Sequence, residues 1–195
     1  MKVVGLTGGI GMGKSTAAAV FKRAKMPVFD ADLAVHQLQA RGGRAVRTIE
    51  AAFPGVVRNG AVDRAALRQA VLGKPEALKR LEHILHPMVE IEQKEFVKRA
   101  RRRACRAAVL DVPLLFEVRW DKRCDLVVVV SAPKAIQIHR VRMRRKMSAA
   151  DIEAVIARQM PDAAKRRRAD VVIRTGLSRH ETQRAMRRLI RTLQS

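Results

Sequence analysis

Acidic residues are scarce in this chain of 195 residues: 18 Asp and Glu stand against 41 Lys and Arg, a formal net charge of +23. Aromatic residues are scarcer still, with no tyrosine, one tryptophan and five phenylalanines. A strongly positive field attracts polyanions, whether nucleotides or nucleic acid. Proteins that hold single strands usually offer aromatic platforms for the bases, so the aromatic poverty argues against a specific nucleic-acid partner. The arginines are also spread, over 99–103, 140–145, 166–168 and 184–191, which puts most of them on solvated helix faces. Cys105 and Cys124, the two cysteines, lack metal-ligand spacing and read as small, partly buried thiols rather than a disulfide framework. No apolar run approaches the roughly 18 residues of a membrane span. The opening stretch Met1–Leu6 meets Gly and Thr too soon for a secretion signal and reads as a strand. A cytoplasmic protein with no membrane partner is expected, as a monomer or a small homo-oligomer.

Nearly half of the residues are hydrophobic (48%), enough for the core of one α/β domain. Short apolar runs predict strands at Lys2–Leu6, Pro27–Asp30, Ala107–Asp111, Leu126–Val130 and Val171–Ile173. Helical spacing predicts helices over 14–24, around Leu33–Leu38, over 75–103 and over 135–147, with one from a Ser148 cap to about Arg168 and another after Ser178. Asp63 is expected to cap a short helix through Val71, and His86-Pro87 to kink or break the long one. Strands alternating with helices give right-handed parallel βαβ units. The expected fold is therefore α/β, a five-stranded parallel sheet flanked by helices. Residues about 42–103, with no clear strand, are read as a helical insertion, and about 140–168 as a lid. The core is then about 1–41, 104–139 and 169–195.

The strongest local signal is Gly8-Gly9-Ile10-Gly11-Met12-Gly13-Lys14-Ser15, which fits G-x-x-x-x-G-K-[ST] between a strand and a helix. Glycines at such a turn let several backbone N–H groups converge on phosphate oxygens, and the helix start directs its positive dipole end at the same anion. Gly9, Gly11, Met12 and Gly13 supply the cradle. Lys14 can reach the β- and γ-phosphates of ATP, Ser15 can ligate Mg²⁺, and Thr16 adds a donor near the α-phosphate. No N-K-x-D guanine-reading motif is present, and a chain this short has little room for the coupling parts of a motor. The reading is a phosphotransferase that uses Mg-ATP on a small hydroxyl-bearing acceptor.

Such a reaction needs a carboxylate to receive the hydroxyl proton. Asp30 and Asp32 follow the second strand, at the carboxyl edge where ligands bind, and either could serve while the other caps a helix. Asp111, at the end of the third strand, suits an acidic residue that holds Mg²⁺ through water. Beyond it, Pro113–Phe116 offers an apolar surface and Glu117 a possible acceptor. Arg140 and Arg144 have i, i+4 spacing and so share one helix face. Guanidinium groups there could hold phosphates in two-point contact, and a mobile segment carrying them would exclude water. Arg142, Arg145 and Arg158 lie nearby in sequence.

Taken together, these pieces resemble the dephospho-CoA kinase family. The resemblance rests on Gly5–Thr16, Asp30-Ala31-Asp32, His86-Pro87, Asp111-Val112-Pro113-Leu114-Leu115-Phe116-Glu117, Gln159-Met160-Pro161 and Ala169-Asp170-Val171-Val172-Ile173. It implies transfer of the ATP γ-phosphate to the ribose 3′-hydroxyl of dephospho-CoA, on a nucleotide-kinase-like core with a helical CoA-binding insertion and a lid. It assigns the base role to Asp32 and the lid arginines to Arg140 and Arg144. His86 falls in the substrate region, beside Pro113, Leu114 and Glu117. Three positions depart from the family pattern: Met12 replaces a small residue, Arg174-Thr175-Gly176 replaces a longer Asp-Asn-Ser-Gly, and Arg145 stands where Asp is common. Another small-metabolite kinase on the same core, and a nucleic-acid-binding protein that uses the loop as an anion site, are the competing readings.

Overall fold

A computed structural model of the chain describes residues 1–145, 148–157 and 159–194. They divide into two compact units, Met1–Phe29 with Val97–Ser195, and Asp30–Phe96. The strands β1 (Lys2–Thr7), β2 (Val28–Asp30), β5 (Ala107–Asp111), β6 (Leu126–Ser131) and β7 (Val171–Arg174) form a parallel sheet in the order β2-β5-β1-β6-β7. β1 pairs with both β5 and β6, with Leu6 opposite Asp111 and Val128, so the end of β1 lies at the centre of the sheet. Apolar residues point from both of its faces, as covered parallel strands require; Val4, Leu6, Val109, Leu110, Val128 and Val130 are all fully buried.

Helices α1 (Lys14–Arg23) and α9 (Arg179–Gln194) share one core cluster with β1, β6 and β7. Phe21 of α1 and Met186 of α9 are among its fully buried members. Thr182, Met186, Leu189, Ile190 and Leu193 fall on one face of α9 at helical spacing, leaving the arginines of 184–191 on the other. Ser178 and Glu181 close a capping box before α9: each side chain accepts a hydrogen bond from the other residue's backbone N–H, at 3.1 and 3.2 Å. Carboxylates also fix two strand entries. Asp125 accepts from Val3 N and Asp170 from Val127 N, both at 2.7 Å. The Ala169-Asp170 pair ahead of β7 thus anchors the start of β6.

In the unit of residues 30–96, α2 (Ala31–Gln39), α3 (Val46–Ala52), α4 (Arg64–Val71) and most of α5 (Pro75–Arg102) surround a small hairpin, β3 (Val57–Arg58) with β4 (Ala61–Val62). This corrects the expectation of no strand in that region. Asn59 and Gly60, with φ of 51° and 76°, make a tight turn whose twist suits a hairpin. Strands of two residues are too short to show alternation in sequence.

Two helix expectations also change. α5 runs unbroken for 28 residues through Pro87. His83, His86 and Pro87 are on its exposed side, and Leu85, Val89, Gln93, Val97 and Ala100 hold the other side in buried packing. The segment after Ser148 is two helices, α7 (Ala149–Ala157) and α8 (Asp162–Arg167), not one. Pro161 has no N–H to give a helix, and the residues before it make long-range bonds described below. Helix α6 spans Lys134–Arg145.

The thiol of Cys124 is half-buried among carboxylates. Burial first, and then the charges of Asp121, Asp125 and Asp170, push it up to about 12. Cys124 is therefore expected to resist iodoacetamide at pH 8 in the folded protein and to react once urea unfolds it. Mass spectrometry of the alkylated protein reads this directly, and rapid labelling of the native chain at Cys124 contradicts the packing described here.

Candidate active site

The phosphate loop joins β1 to α1 and carries few side chains that could fix its own shape. Gly11 and Gly13 have φ of +74° and +91°, a region costly for any residue with a Cβ. Gly8 is needed for a different reason: a Cβ there would lie 2.4 Å from Val130 Cγ2 and 2.7 Å from the Val130 carbonyl oxygen. The rest of the shape is imposed from outside. Gln159 accepts from Ile10 N at 3.0 Å, and Gln137 of α6 donates to Ile10 O at 2.8 Å. The N–H and C=O of one loop residue are thus gripped from two different segments. Gln159 belongs to a stretch quoted for its family pattern, but neither glutamine was assigned this work. Amides have no charge signature or spacing rule that would reveal it.

Lys14 and Asp111 meet at the mouth of the loop, where Nζ lies 2.6 Å from Oδ1. Asp111 is 3% exposed at the end of β5, and its carboxylate offsets an ammonium that would otherwise be poorly solvated. Ser15 and Thr16, in the first turn of α1, are exposed, and no described residue occupies the Ser15 hydroxyl. Thr7, the last residue of β1, donates from Oγ1 to Pro113 O at 2.9 Å and so ties the phosphate loop to the segment after β5.

Met12 is buried, its sulfur 3.0 Å from Ala132 N, so the larger side chain fills space beneath the loop, while its N–H donates to Gly9 O at 3.1 Å. Its carbonyl accepts from Thr175 Oγ1 at 2.6 Å. Arg140 of α6 then donates twice to the same threonine, from Nη1 to Oγ1 at 3.1 Å and from Nη2 to the carbonyl at 2.6 Å. Arg140, Thr175, Gly13 and Thr16 line one cavity of about 300 Å³. A larger one, about 710 Å³, is lined by Gly9, Met12, Gln137, Met160, Lys165 and Leu177 among others. Arg144 lies on the same helix, but its side chain, like that of Arg145 and all of Arg158, is outside the described residues.

After Asp111 the chain alternates between core and surface. Leu115 and Phe116 are buried, Pro113 is half-buried, and Leu114 is exposed. Glu117 Oε1 accepts from Met160 N at 2.9 Å and pairs with Lys165 Nζ at 3.0 Å. Lys165 is 1% exposed, and this carboxylate is its counter-charge. Burial pushes the Glu117 carboxyl up, but hydrogen bonds from the backbone N–H groups of Met160 and Glu117 and from Lys165, with the lysine's charge, outweigh it and hold the group below its ordinary value. Glu117 thereby joins the segment after β5 to the turn ahead of α8, a job distinct from the acceptor contact expected of it.

The unit of residues 30–96 holds Asp30, Asp32 and His86. Asp30 is the N-cap of α2, its Oδ1 accepting from Leu33 N at 3.0 Å. Asp32, in the first turn of α2, is exposed, and no described residue pairs with its carboxylate. Of the two candidates, capping therefore occupies Asp30 and leaves Asp32 available. His86 is exposed on α5.

A family model described as dephospho-CoA kinase matches residues 2–180. A protein named dephospho-CoA kinase from Gluconobacter oxydans is 51% identical over 197 residues, which covers 99% of this chain and 98% of that one. A crystal structure from Thermus thermophilus superposes with a TM-score of 0.87 at 32% identity, over 100% of this chain and 98% of the other. A dephospho-CoA kinase structure from Campylobacter jejuni, 22% identical, shares the fold with a TM-score of 0.75 over 98% of this chain and 96% of its own.

The Glu117–Lys165 pair makes a prediction about acid. A carboxyl depressed in the folded state contributes stability above its unfolded value, ~4.3 for Glu, and loses it as pH falls through the lower folded value. Glu117→Gln should therefore lower the melting temperature near pH 7, and the gap from the parent should shrink below about pH 4. At neutral pH the loss should be about 1–3 kcal/mol, from a buried ammonium left without its counter-charge. A gap that stays constant from pH 7 to pH 3 is the opposing result.

Proposed function

The chain belongs to the dephospho-CoA kinase family, and we propose that it transfers the γ-phosphate of ATP to the ribose 3′-hydroxyl of dephospho-CoA, giving coenzyme A and ADP. The observation that carries this reading is the Lys14–Asp111 pair of 2.6 Å set beside the open first turn of α1. An ammonium resting on a carboxylate has a partner to exchange when a triphosphate arrives. The loop amides of Gly9, Gly11 and Gly13, the N-terminus of α1, and Thr16 supply the remaining donors, Ile10 N and Met12 N being engaged by Gln159 and Gly9 O.

The donor set also suits Mg²⁺. Ser15 Oγ and the Asp111 carboxylate are hard oxygen donors, and this ion typically takes one or two protein oxygens and completes its shell with phosphate and water. When bound, the ion offsets negative charge on the β- and γ-phosphate oxygens. Within this reading Asp32 accepts the proton of the 3′-hydroxyl. The hydroxyl oxygen forms its bond to the γ-phosphorus as the bond to the β,γ-bridging oxygen breaks, and ADP carries away that electron pair. Arg140, with Arg144, supplies cations to the equatorial oxygens, where charge builds up. His86, Pro113 and Leu114 are assigned to the acceptor, with Glu117 supporting that wall through its hold on Met160. The reaction is placed in the cytoplasm, where Cys105 and Cys124 remain thiols.

The test is an acceptor screen with ATP and Mg²⁺. Coenzyme A should form from dephospho-CoA in preference to other hydroxyl compounds such as shikimate, gluconate or nucleosides. Robust phosphorylation of another acceptor with no coenzyme A formed rejects the assignment. Asp32→Asn should lower kcat about 10²-fold or more while ATP binding holds within about threefold, as for a lost general base. A variant that turns over at the parent rate removes Asp32 from that role.

A further inference from the structure

We propose that Thr175 is a positioning residue for phosphoryl transfer: it fixes the guanidinium of Arg140 against the phosphate loop itself. The inference rests on the reading of Arg140 as a cation that acts on the transferred group. It goes beyond that reading in naming what places the cation.

An arginine on a helix surface has a long, flexible stem, and holding its head in one orientation costs conformational entropy. Here the head is gripped at two points by one residue, Nη1 on Thr175 Oγ1 and Nη2 on Thr175 O. Two parallel contacts fix the plane of the guanidinium as well as its position. Thr175 is in turn immobilised. It is 6% exposed, and its N–H donates to Ser131 O at 2.8 Å. Its one hydroxyl proton has two carbonyls in reach, Met12 O at 2.6 Å and Ser131 O at 3.3 Å, and the shorter contact takes it. With its proton on Met12, Oγ1 offers a lone pair to Arg140. The side chain also lies flat against the loop, since a Cβ on Gly13 would meet its Oγ1, Cβ and Cγ2 at 3.2–3.3 Å.

The chain of contacts runs from the peptide of Met12-Gly13, through one hydroxyl, to the guanidinium. Arg140 belongs to α6, yet its head is referenced to the phosphate loop, and it lines the same cavity as Gly13 and Thr16. A cation held this way keeps its place relative to bound phosphates even if the far end of α6 moves. The hydroxyl does what no apolar isostere can, because it donates to the loop and accepts from the arginine at once.

Thr175→Val keeps the shape and removes both functions of the hydroxyl; the carbonyl contact remains, so the head can pivot. The expected result is a fall in kcat of about tenfold, the scale of a misplaced charge-stabilising group, with KM for dephospho-CoA within about threefold. Thr175→Ser restores donor and acceptor and should recover kcat to within about threefold. Arg140→Ala should be slower still, and adding Thr175→Val to it should cost nothing further, the non-additivity of residues that act in series. Melting temperatures are taken in parallel; should the valine variant not fold, Thr175→Ala is read the same way. A Thr175→Val enzyme with the parent kcat, a serine variant as slow as the valine, or multiplicative losses in the double variant overturns the inference. If Arg140→Ala keeps the parent kcat, the role of Arg140 fails and the inference with it. A slow Arg140→Ala beside a fast Thr175→Val sinks the inference alone.

Discussion

One residue near the start of the chain is held at both of its backbone polar groups: Gln159 accepts from Ile10 N and Gln137 donates to Ile10 O. The phosphate loop depends on such outside support. A loop that offers backbone N–H groups to an anion can use few of them on itself, here Met12 N on Gly9 O at 3.1 Å, and glycine-rich backbone has the most conformational entropy to lose. Two glutamines and a threonine, from segments distant in sequence, hold it at Ile10 and Met12. The central strand brings these supports together. β1 lies between β5 and β6, so its carboxyl end meets the segments that follow both neighbours, Asp111–Pro113 on one side and Ser131–Ala132 on the other.

How much of this could be read from residue order depends on whether the cause is local. Caps and loops have local causes. Ser178 with Glu181 and Asp63 with the amides of Ala65 and Ala66 were recognisable from spacing alone, as was the glycine loop between a strand and a helix. The hairpin at Asn59-Gly60 carried its signal in the turn and hardly any in its two-residue strands. The unbroken α5 was not readable, because whether a proline interrupts a helix depends on which face is exposed and on packing along the rest of its length. The same holds at Gln159–Pro161. Helical spacing continues through it, but Pro161 has no N–H to give, Met160 N donates to Glu117, and the Gln159 side chain holds the phosphate loop. In the candidate site, residues with chemical reputations were visible: Lys14, Asp111, Asp32 and Arg140. Gln137, which holds the loop at Ile10, Thr175, which holds Arg140, and Lys165, which pairs with Glu117, were not, since neither amides, hydroxyls nor a buried lysine differ in sequence from their surface counterparts.

The shortage of carboxylates sharpens the view of those present. With 18 acidic residues against 41 basic ones, an acidic side chain would not be expected to lack a cation or an N–H group to bind. Several are fully engaged. Asp125 and Asp170 start strands, Asp30 and Asp63 cap helices, Glu117 neutralises a buried lysine, and Asp111 pairs with Lys14. Asp32, on the first turn of α2, is exposed and paired with no described residue, as is Glu82 of α5. The charge of Asp32 lies in the first turn of α2, where it complements the helix dipole without a side-chain partner. Within the proposed reading, that leaves its carboxylate to accept the proton of the acceptor hydroxyl.

The pairing at the loop mouth then has a second consequence. Without nucleotide, an unpaired ammonium beside a row of convergent N–H groups and a helix N-terminus would concentrate positive potential in a partly desolvated place. Asp111 relieves this at 2.6 Å. Once a triphosphate enters, the sign of the local problem reverses, because several phosphate charges now lie beside the same carboxylate. Lys14 is then better placed on phosphate, and the carboxylate needs a cation of its own. Within the proposed reading a divalent ion held by Asp111 and Ser15 would meet that need, so the Lys14–Asp111 pair would couple metal to nucleotide. The physical origin of that coupling is the exchange of one ion pair for two.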